Sequence, residues 1–196
     1  MRSDAAGRYD ARMKRRTMRR REVPGTARFL TFTCHRRLPL LRPDAIKDVF
    51  IDRLTRTAVT LGVDVLAWVV MPDHVHLIVY AEDAGVSMTR FTHALKRPFA
   101  LEVLNRWRAL NAPILARLEH GDGHRLWQTG GGFDRNVVGD ELVEKIRYIH
   151  GNPVRRGLVG RAADYRWSSA AAYDGMPCVG PVIRFGLLPA AKIDVT

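Results

Sequence analysis

The sequence predicts an α+β fold in which one antiparallel sheet carries helices on one face. Segments with strand-like and helix-like patterns follow one another in the order β, α, β, β, α along the chain. A further strand-like segment, RLWQTGGGFDRNVV, follows the second helix and completes a split β-α-β-β-α-β order. This order is typical of ferredoxin-like and RRM-like sheets, which nucleic-acid binders and unrelated enzymes both use.

The first strand and the first helix follow an arginine-rich N-terminal segment. The stretch ARFLTFTCHRRLPLL is β-branched and aromatic, and positions 29–34 alternate between two faces as in a strand. The stretch PDAIKDVFIDRLTRTAVTLGV then places apolar residues at three- and four-residue steps, and Gly62 provides a C-terminal stop. This second stretch predicts an amphipathic helix.

A hairpin and a second helix come next. The segments VDVLAWVVM and HVHLIVY are strand-like, and the short turn Pro72-Asp73 joins them as a hairpin. Because HVHLIVY ends in a continuous apolar run, we expect it in the centre of the sheet, covered on both faces. The segment SMTRFTHALKRPFALEVLNRW predicts a helix that begins at the N-cap Ser87 and is kinked or broken at Pro98.

The segment GDELVEKIRYIHGNPVRRGLV predicts a third helix, which opens at the N-cap Asp140 and is ended by Pro153. At about 100° per residue, the apolar residues that gather on one side are Leu142, Val143, Ile146 and Ile149. Tyr148 and Asn152 fall together on the other side, one turn apart, where one ligand could meet a phenolic and an amide oxygen. The alternatives are a surface tyrosine and a helix-terminating asparagine.

Composition indicates one globular unit with a polyanionic partner. The chain has 196 residues, 46% of them hydrophobic, and no run approaches the roughly 20 apolar residues that span a bilayer. There are 32 Lys and Arg against 20 Asp and Glu, giving a net charge of +12 and an isoelectric point near 10.6. This balance favours nucleic acid as the partner.

We predict three parts of the chain from the charge and the motifs. Residues 1–24 carry much of the basic excess and are expected to be a flexible basic arm, residues 25–156 form the domain, and residues 157–196 form a C-terminal extension. No signal peptide is visible, so we expect a cytoplasmic protein. Cys34 and Cys178 show no metal-ligand spacing and are interpreted as structural thiols in a reducing compartment.

Two histidines at alternate positions distinguish the stretch WVVMPDHVHLIVY. A strand sends every second side chain to the same face, so His74 and His76 point together. Each imidazole could be a core residue bonded to a backbone carbonyl. Two imidazoles on one face could also bind a metal ion or supply a general base, and the pairing favours this second interpretation.

Four segments resemble the successive signatures of REP-associated tyrosine transposases, relatives of the single-tyrosine HUH transposases. They are WVVMPDHVHLIV, LWQ...GFDRNV, YIHGNPVRRGLV and DYRWSSAAAY, and the resemblance runs from about Phe29 to Tyr173. The sequence departs from the family in a longer glycine run, QTGGGFDRNV, and in His120 and His124, which we interpret as loop residues.

The resemblance implies an HUH endonuclease that cuts single-stranded DNA near hairpin-forming repeats in the bacterial nucleoid. In this family the motif histidines, here His74 and His76, and a polar residue one turn after the tyrosine, here Asn152, hold one divalent cation, Mg²⁺ or Mn²⁺. Tyr148 is the implied nucleophile, which forms a 5′-phosphotyrosine and leaves a free 3′-hydroxyl. Two imidazoles and one amide oxygen suit this chemistry because they leave coordination positions open for phosphate and water.

Five basic residues are candidates for contacts with DNA phosphates: Lys96, Arg97, Arg135, Arg155 and Arg156. For each of them the alternative is a solvated surface charge. Trp127 and Trp167 could stack on bases, but we expect both in the core.

Two other functions fit the same composition. A noncatalytic RRM-like binder of single-stranded RNA or DNA would suit the charge and the fold, yet TFTCH and HVHLIV carry histidines where stacking rings are expected. A metal-dependent nuclease could instead use activated water in place of a tyrosine. The extension at 157–196 resembles the REP-associated branch, for which we expect a monomer rather than a dimer.

Overall fold

A computed structural model describes residues 25–83 and 85–188. The predicted basic arm at 1–24 lies outside the described residues, as do residues 189–196 of the predicted extension. The helices and strands, in chain order, are β1 (Ala27–Cys34), α1 (Asp44–Leu61), β2 (Asp64–Val70), β3 (His74–Tyr80), α2 (Met88–Ala109), β4 (Glu119–His120), β5 (Gly123–His124), β6 (Trp127–Val137), α3 (Gly139–His150), α4 (Asn152–Arg155) and α5 (Ala170–Tyr173).

The main sheet has the strand order β2-β3-β1-β6, and every neighbouring pair is antiparallel. This order confirms the predicted ferredoxin-like sheet, with β2 and β3 as a hairpin, β3 in its interior and β6 as the last strand. The short strands β4 and β5 form a separate ribbon just before β6.

The sheet separates two cores. On one face α1 and α2 pack on strand residues such as Leu30, Phe32 and Leu77. On the other face α3 packs along β2 and β3, over residues such as Phe29 and Ile78. The alternation predicted for positions 29–34 is therefore confirmed, and α1 and α2 share one face as expected. The third helix covers the opposite face, where it meets the two histidines.

Two of the predicted helix signals are confirmed, and of the predicted kink or break at Pro98 the break is not found. Gly62 ends α1 in the left-handed region at φ 61°, and the Ser87 hydroxyl accepts a hydrogen bond from the Arg90 amide at 3.3 Å. Pro98 does not break α2, which runs continuously from Met88 to Ala109. The apolar stripe that includes Phe91 and Phe99 is fully buried, and this burial offsets the hydrogen bond that Pro98 cannot donate.

Both predicted ends of α3 are wrong. The N-cap is Val138 and Asp140 lies inside the first turn, where its carboxylate faces the positive end of the helix dipole. The helix ends at His150 rather than at Pro153, which lies in the short helix α4 that follows Gly151. Because Pro153 has no N–H for the Ile149 carbonyl, the hydrogen-bond ladder is interrupted one turn before the proline.

The described part of the extension covers the outer edge of β2. Ser168 forms an antiparallel bridge to Val69, and the Tyr165 and Tyr173 hydroxyls donate to the carbonyls of Val70 and Leu66 at 2.9 and 2.6 Å. These contacts satisfy an edge that would otherwise expose unpaired backbone groups. The domain boundary at residue 157 stays a prediction.

Cys34 is buried at the end of β1, where burial raises the pKa of its thiol to about 12. Cys178 is partly buried, and both thiols are free. None of the helices in the described ranges has the length and apolar composition that a bilayer crossing requires.

Candidate active site

Two imidazoles meet at the start of β3, against the C-terminal part of α3. His74 and His76 occupy alternate strand positions, and their ring centroids are 4.7 Å apart. The His76 ring also stacks on Phe29 at 5.4 Å. The two side chains therefore point to the same face of the sheet, as the strand period predicts.

The turn before β3 orients His74. Its Nδ1 atom lies 2.7 Å from Asp73 Oδ1, so the ring donates its Nδ1 proton to the carboxylate and keeps a lone pair on Nε2. That Nε2 atom lies 3.3 Å from the amide nitrogen of Asn152. The arrangement resembles the carboxylate–histidine pairs that fix the tautomer of metal-binding imidazoles.

The neighbouring strand orients His76 in the same way. Thr31 in β1 is its cross-strand partner, and Thr31 Oγ1 lies 2.9 Å from His76 Nδ1. When Nδ1 carries the proton, the ring donates to the hydroxyl and Nε2 again keeps a lone pair. Both imidazoles thus have Nδ1 held by a neighbour and a lone pair on Nε2, which in His74 faces the Asn152 amide.

Burial keeps both imidazoles neutral. Burial, together with the nearby His74 and Arg155, lowers the pKa of His76 to about 3, although Asp73 opposes this effect. Burial also lowers the pKa of His74, although the hydrogen bond to Asp73 opposes this effect. A neutral imidazole is the form that binds a metal ion, so the pair is competent to bind one at neutral pH.

Tyr148 lies beside the imidazole pair on the outer side of α3. Its side chain is 44% exposed, and its ring centroid is 5.6 Å from that of His76. The predicted phase of the helix is confirmed, since Ile146 and Ile149 are fully buried while Tyr148 is not. The phenol is therefore partly open to solvent beside the His76 ring.

Arg155 holds Tyr148 from the following helix. Its guanidinium carbon lies 4.6 Å from the phenol ring centroid, and Nη2 donates to the Tyr148 carbonyl at 2.6 Å. Gly151 makes this approach possible, because a Cβ there would stand 2.7 Å from Arg155 Nη1. The interruption between α3 and α4 thus brings a cation onto the tyrosine.

Asn152 differs from its predicted setting. It does not continue the exposed side of α3, because the helix ends before it, and it is only 7% exposed at the start of α4. Its amide faces His74 instead. Tyr148 and Asn152 are therefore connected through the two imidazoles: Tyr148 neighbours His76, His76 neighbours His74, and His74 faces Asn152.

The donor atoms fit a divalent cation. His74 and His76 could hold it through Nε2, and Asn152 through its amide oxygen once the amide, which turns its nitrogen to His74 in this structure, is flipped. Among the described residues, no three His, Cys, Asp or Glu side chains form a group that could hold a metal, so the third donor of such a site would be Asn152. A set of only three donors leaves room for a phosphate oxygen and water.

The structure divides the candidate DNA-binding residues between two faces. Arg155 and Arg156 lie at the site, and Arg156 Nη2 is 3.4 Å from Asp73 Oδ1. Arg135 pairs in register with Phe29 on the same face and forms an ion pair with Glu141.

The remaining two candidates, Lys96 and Arg97, belong to α2 on the opposite face, where they line a groove beside Trp127. Trp127 is buried in the core, as expected. Trp167 is partly buried, packs on Lys47 and donates to Asp48 at 2.9 Å.

Two site residues escaped sequence reasoning. Asp73 directly precedes His74 in the sequence, and this adjacency could have indicated their hydrogen bond. The turn pattern alone indicates only a turn residue. Thr31 gave no comparable signal, because its contact with His76 depends on the register between β1 and β3.

Known proteins share the sequence pattern and the fold. The family described as "Transposase IS200 like" matches residues 27–152. A solved structure of a REP-associated tyrosine transposase bound to a REP hairpin is similar with a TM-score of 0.62 and 21% identity, over 91% of this chain and 92% of that chain. A putative transposase from Deinococcus radiodurans R1 is 26% identical over 64% of this chain and 88% of that chain, with a TM-score of 0.46. No curated protein sequence matches.

The matched residues include His74, His76, Tyr148 and Asn152, and they span more than half of the chain. The sheet on which these residues lie has the fold of the REP-associated enzyme, since the two structures superpose over most of both chains. On this match of family and fold, the chain belongs to the IS200-like transposases.

Proposed function

We propose that this transposase is a metal-dependent single-stranded DNA endonuclease and strand transferase that uses Tyr148 as its nucleophile. The observation that carries the proposal is the position of the Tyr148 ring, 5.6 Å from His76 and open to solvent. A DNA strand that reached the phenol would lie beside the His76 ring.

In the proposed reaction Tyr148 Oη attacks the scissile phosphorus, so that an oxygen–phosphorus bond to the tyrosine forms and the bond to the 3′ oxygen breaks. The phenol proton passes to solvent and the departing oxygen takes up a proton, which gives a 5′-phosphotyrosine and a free 3′-hydroxyl. Because the new ester retains the energy of the phosphodiester, a 3′-hydroxyl can reverse the step and join strands.

The proposed cofactor is Mg²⁺ or Mn²⁺, held by His74, His76 and Asn152. Such a cation polarises a phosphate oxygen and stabilises the charge that develops during displacement. The protein's own contribution is to hold the imidazoles neutral and oriented and to keep the phenol beside them. Arg155 fixes Tyr148, and the half-exposed Arg156 guanidinium is placed to contact a phosphate next to the scissile one.

The proposed target is DNA next to hairpin-forming repeats, as for the REP-associated branch of the family. Two observations support it: the fold likeness over most of the chain to an enzyme solved with a REP hairpin, and the net charge of +12. Repeats of this kind would place the enzyme at the bacterial nucleoid.

The test is a strand-cleavage assay of the wild type and Tyr148→Phe with labelled single-stranded oligonucleotides and Mn²⁺ or Mg²⁺. We expect the wild type to give a protein–DNA adduct on a denaturing gel and the variant to give neither adduct nor cleavage. The ring, the helix and the charge are retained, so binding and stability should change little. Tyr80→Phe, a tyrosine at the far end of β3, is the matched control and should form the adduct normally.

The same assay separates the competing functions. A noncatalytic binder would show no cleavage in any variant, and a nuclease that activates water would cut without a covalent product. An adduct formed by Tyr148→Phe would transfer the role to another tyrosine. Tyr165 and Tyr173 are poor substitutes, because both hydroxyls donate to carbonyls of β2 and burial raises the pKa of both phenols.

A further inference from the structure

A groove lies on the helical face of the sheet, between α2 and the residues that lead into β6. Its volume is about 460 Å³, within the range of about 300–1,000 Å³ typical of small-ligand sites. The α2 residues that line it recur at helical spacing from Thr89 to Leu104. These fifteen steps span about 22 Å at 1.5 Å per residue, so the groove is a channel rather than a closed pocket.

The groove combines an apolar floor with a basic rim. Leu101, which is 49% exposed, Leu104 and the edge of Trp127 form the floor. Lys96, Arg97 and Arg125 contribute cationic groups to the lining, and the Lys96 ammonium lies over the Trp127 ring, 5.7 Å from its centroid. A flat base on a phosphate backbone is the partner that meets both requirements, since a base stacks on apolar side chains and the phosphate pairs with cations.

A basic segment connects the groove with the candidate active site. This segment, residues 35–37, directly follows β1. On the side of the active site, the Cys34 amide donates a hydrogen bond to the Asp73 carbonyl at 2.8 Å. On the other side the His35 amide donates to the Leu126 carbonyl, in the groove wall, at 2.7 Å. The groove and the imidazole pair therefore open at the same end of the sheet.

The backbone of this segment is unusual. Arg36 and Arg37 have φ values of 52° and 54°, in the left-handed region that residues other than glycine rarely adopt. Both side chains are exposed. Such conformations are costly and concentrate at ligand-binding sites. Here they present two guanidinium groups between the site and the groove.

We infer that the α2 groove binds unpaired nucleotides of the single strand that flanks the scissile phosphate, with Arg36 and Arg37 guiding the backbone between the two. This inference rests on the proposed function, because the position of the cleavage centre sets the direction in which the DNA strand would run into the groove. It assigns Lys96 and Arg97 to the flank rather than to the cleavage centre.

The test compares Leu101→Glu with Val59→Glu, which places the same charge at an 80% exposed position of α1 outside the groove. Anisotropy of labelled single-stranded oligonucleotides in EDTA gives the dissociation constant without cleavage. The oligonucleotides carry a long flank on both sides of the scissile site, on the 5′ side only, on the 3′ side only, or on neither. Thermal unfolding checks that both variants are folded.

We expect Leu101→Glu to weaken binding of the doubly flanked strand about tenfold or more, the effect of losing a stacked base, and Val59→Glu to leave it unchanged. The loss of affinity in Leu101→Glu should disappear with the oligonucleotide that lacks the flank bound in the groove, either the 5′ or the 3′ one. Arg97→Gln should lower the salt dependence of binding by about one phosphate contact. Equal binding by the two glutamate variants, or a loss of affinity that persists without flanks, would overturn the inference.

Failure of the proposed function gives a different result. Absence of a Tyr148 adduct in the wild type would refute the nuclease proposal, while the binding comparison in EDTA would still report on the groove. Conversely, adduct formation by the wild type together with equal binding by the two glutamate variants would refute the groove and leave the nuclease proposal standing.

Discussion

Asp73 and Thr31 hold the two imidazoles in fixed orientations. Asp73 accepts from His74 Nδ1 at 2.7 Å, Thr31 Oγ1 lies 2.9 Å from His76 Nδ1, and each contact directs the Nε2 atom of its imidazole away from the partner. They are positioning residues, and their removal should act first on the cation rather than on DNA.

Asp73→Ala should weaken binding of Mn²⁺ about 10- to 100-fold, the range found when the outer partner of a metal-binding histidine is lost. Asp73→Asn should have a smaller effect, because its amide oxygen can still accept from His74 although the charge is gone. Calorimetric titration with Mn²⁺ measures both. Asp122→Ala, at an exposed acid of the β4–β5 turn, is the control, and equal affinities for it and Asp73→Ala would exclude a role for Asp73.

His76→Ala should abolish metal-dependent cleavage while leaving most DNA binding, because phosphate contacts elsewhere supply most of the affinity. Cleavage and anisotropy are measured on the same preparation, with His120→Ala at an exposed position of β4 as the control for cleavage. Normal cleavage by His76→Ala would refute the metal site.

Among the contacts between secondary-structure elements, the polar contact between α3 and the extension is made by the Ser169 hydroxyl. Ser169 Oγ accepts from the Trp68 amide at 2.9 Å and lies 2.8 Å from His150 Nε2. His150 is fully buried, and its Nδ1 atom has no hydrogen-bond partner among the described residues. Ser169 is thus the polar neighbour that joins the end of α3 to the edge strand.

Ser169→Ala should lower the free energy of unfolding by about 1–3 kcal/mol, the cost of leaving buried polar groups without a partner. Chemical denaturation measures this change. Thr60→Ala, which removes an exposed hydroxyl from α1, should change the free energy by much less. Equal losses in the two variants would show that the hydroxyl of Ser169 is dispensable.

The buried His150 also predicts how stability depends on pH. Burial lowers its pKa from 6.5 to about 3, so below pH 6.5 the unfolded chain binds a proton that the folded chain does not. Stability should therefore fall as the pH drops from 6.5 toward 3, by at most about 1.4 kcal/mol per pH unit for this group. His74 and His76 act in the same direction.

Denaturation curves at several pH values in EDTA measure the slope. His150→Gln, which can still bond to Ser169, should reduce the slope by about one proton. A slope identical to that of the wild type would mean that His150 is protonated in the folded protein.

In the molecule as a whole, one chain contains the complete candidate site. Tyr148 contacts His76 of its own chain, and the extension covers the outer edge of β2 through Ser168 and the tyrosines 165 and 173. An edge that is already paired cannot add a strand from a second copy. The edge at β2 is therefore closed to a second copy while β6 forms the other edge of the sheet, and the monomer stays a prediction, in which cleavage would occur in cis.

Light scattering should accordingly give the mass of one chain, and a mixture of His76→Ala and Tyr148→Phe should stay inactive. Each variant alone serves as its own control, and added wild type verifies the assay. A stable dimer together with restored cleavage in the mixture would show that the tyrosine acts across subunits.

Local patterns predicted most of the framework. Hydrophobic periodicity gave the order of the strands and helices of the main sheet, the face shared by His74 and His76, and the exposure of Tyr148, because each depends only on the repeat of a strand or a helix. The roles of these side chains came from resemblance and stay predictions. The arm at 1–24 lies outside the described residues and stays a prediction too.

Contacts between distant segments could not be obtained in this way. Thr31 meets His76 through strand register, Asn152 is buried against His74 because the helix stops at Gly151, and Pro98 stays helical because its neighbours are buried. Each outcome is a balance between a local preference and packing against residues far along the chain. A strand or helix period is a property of neighbouring residues and can be recognised in the sequence, whereas this balance exists only when the sheet and its two cores have formed.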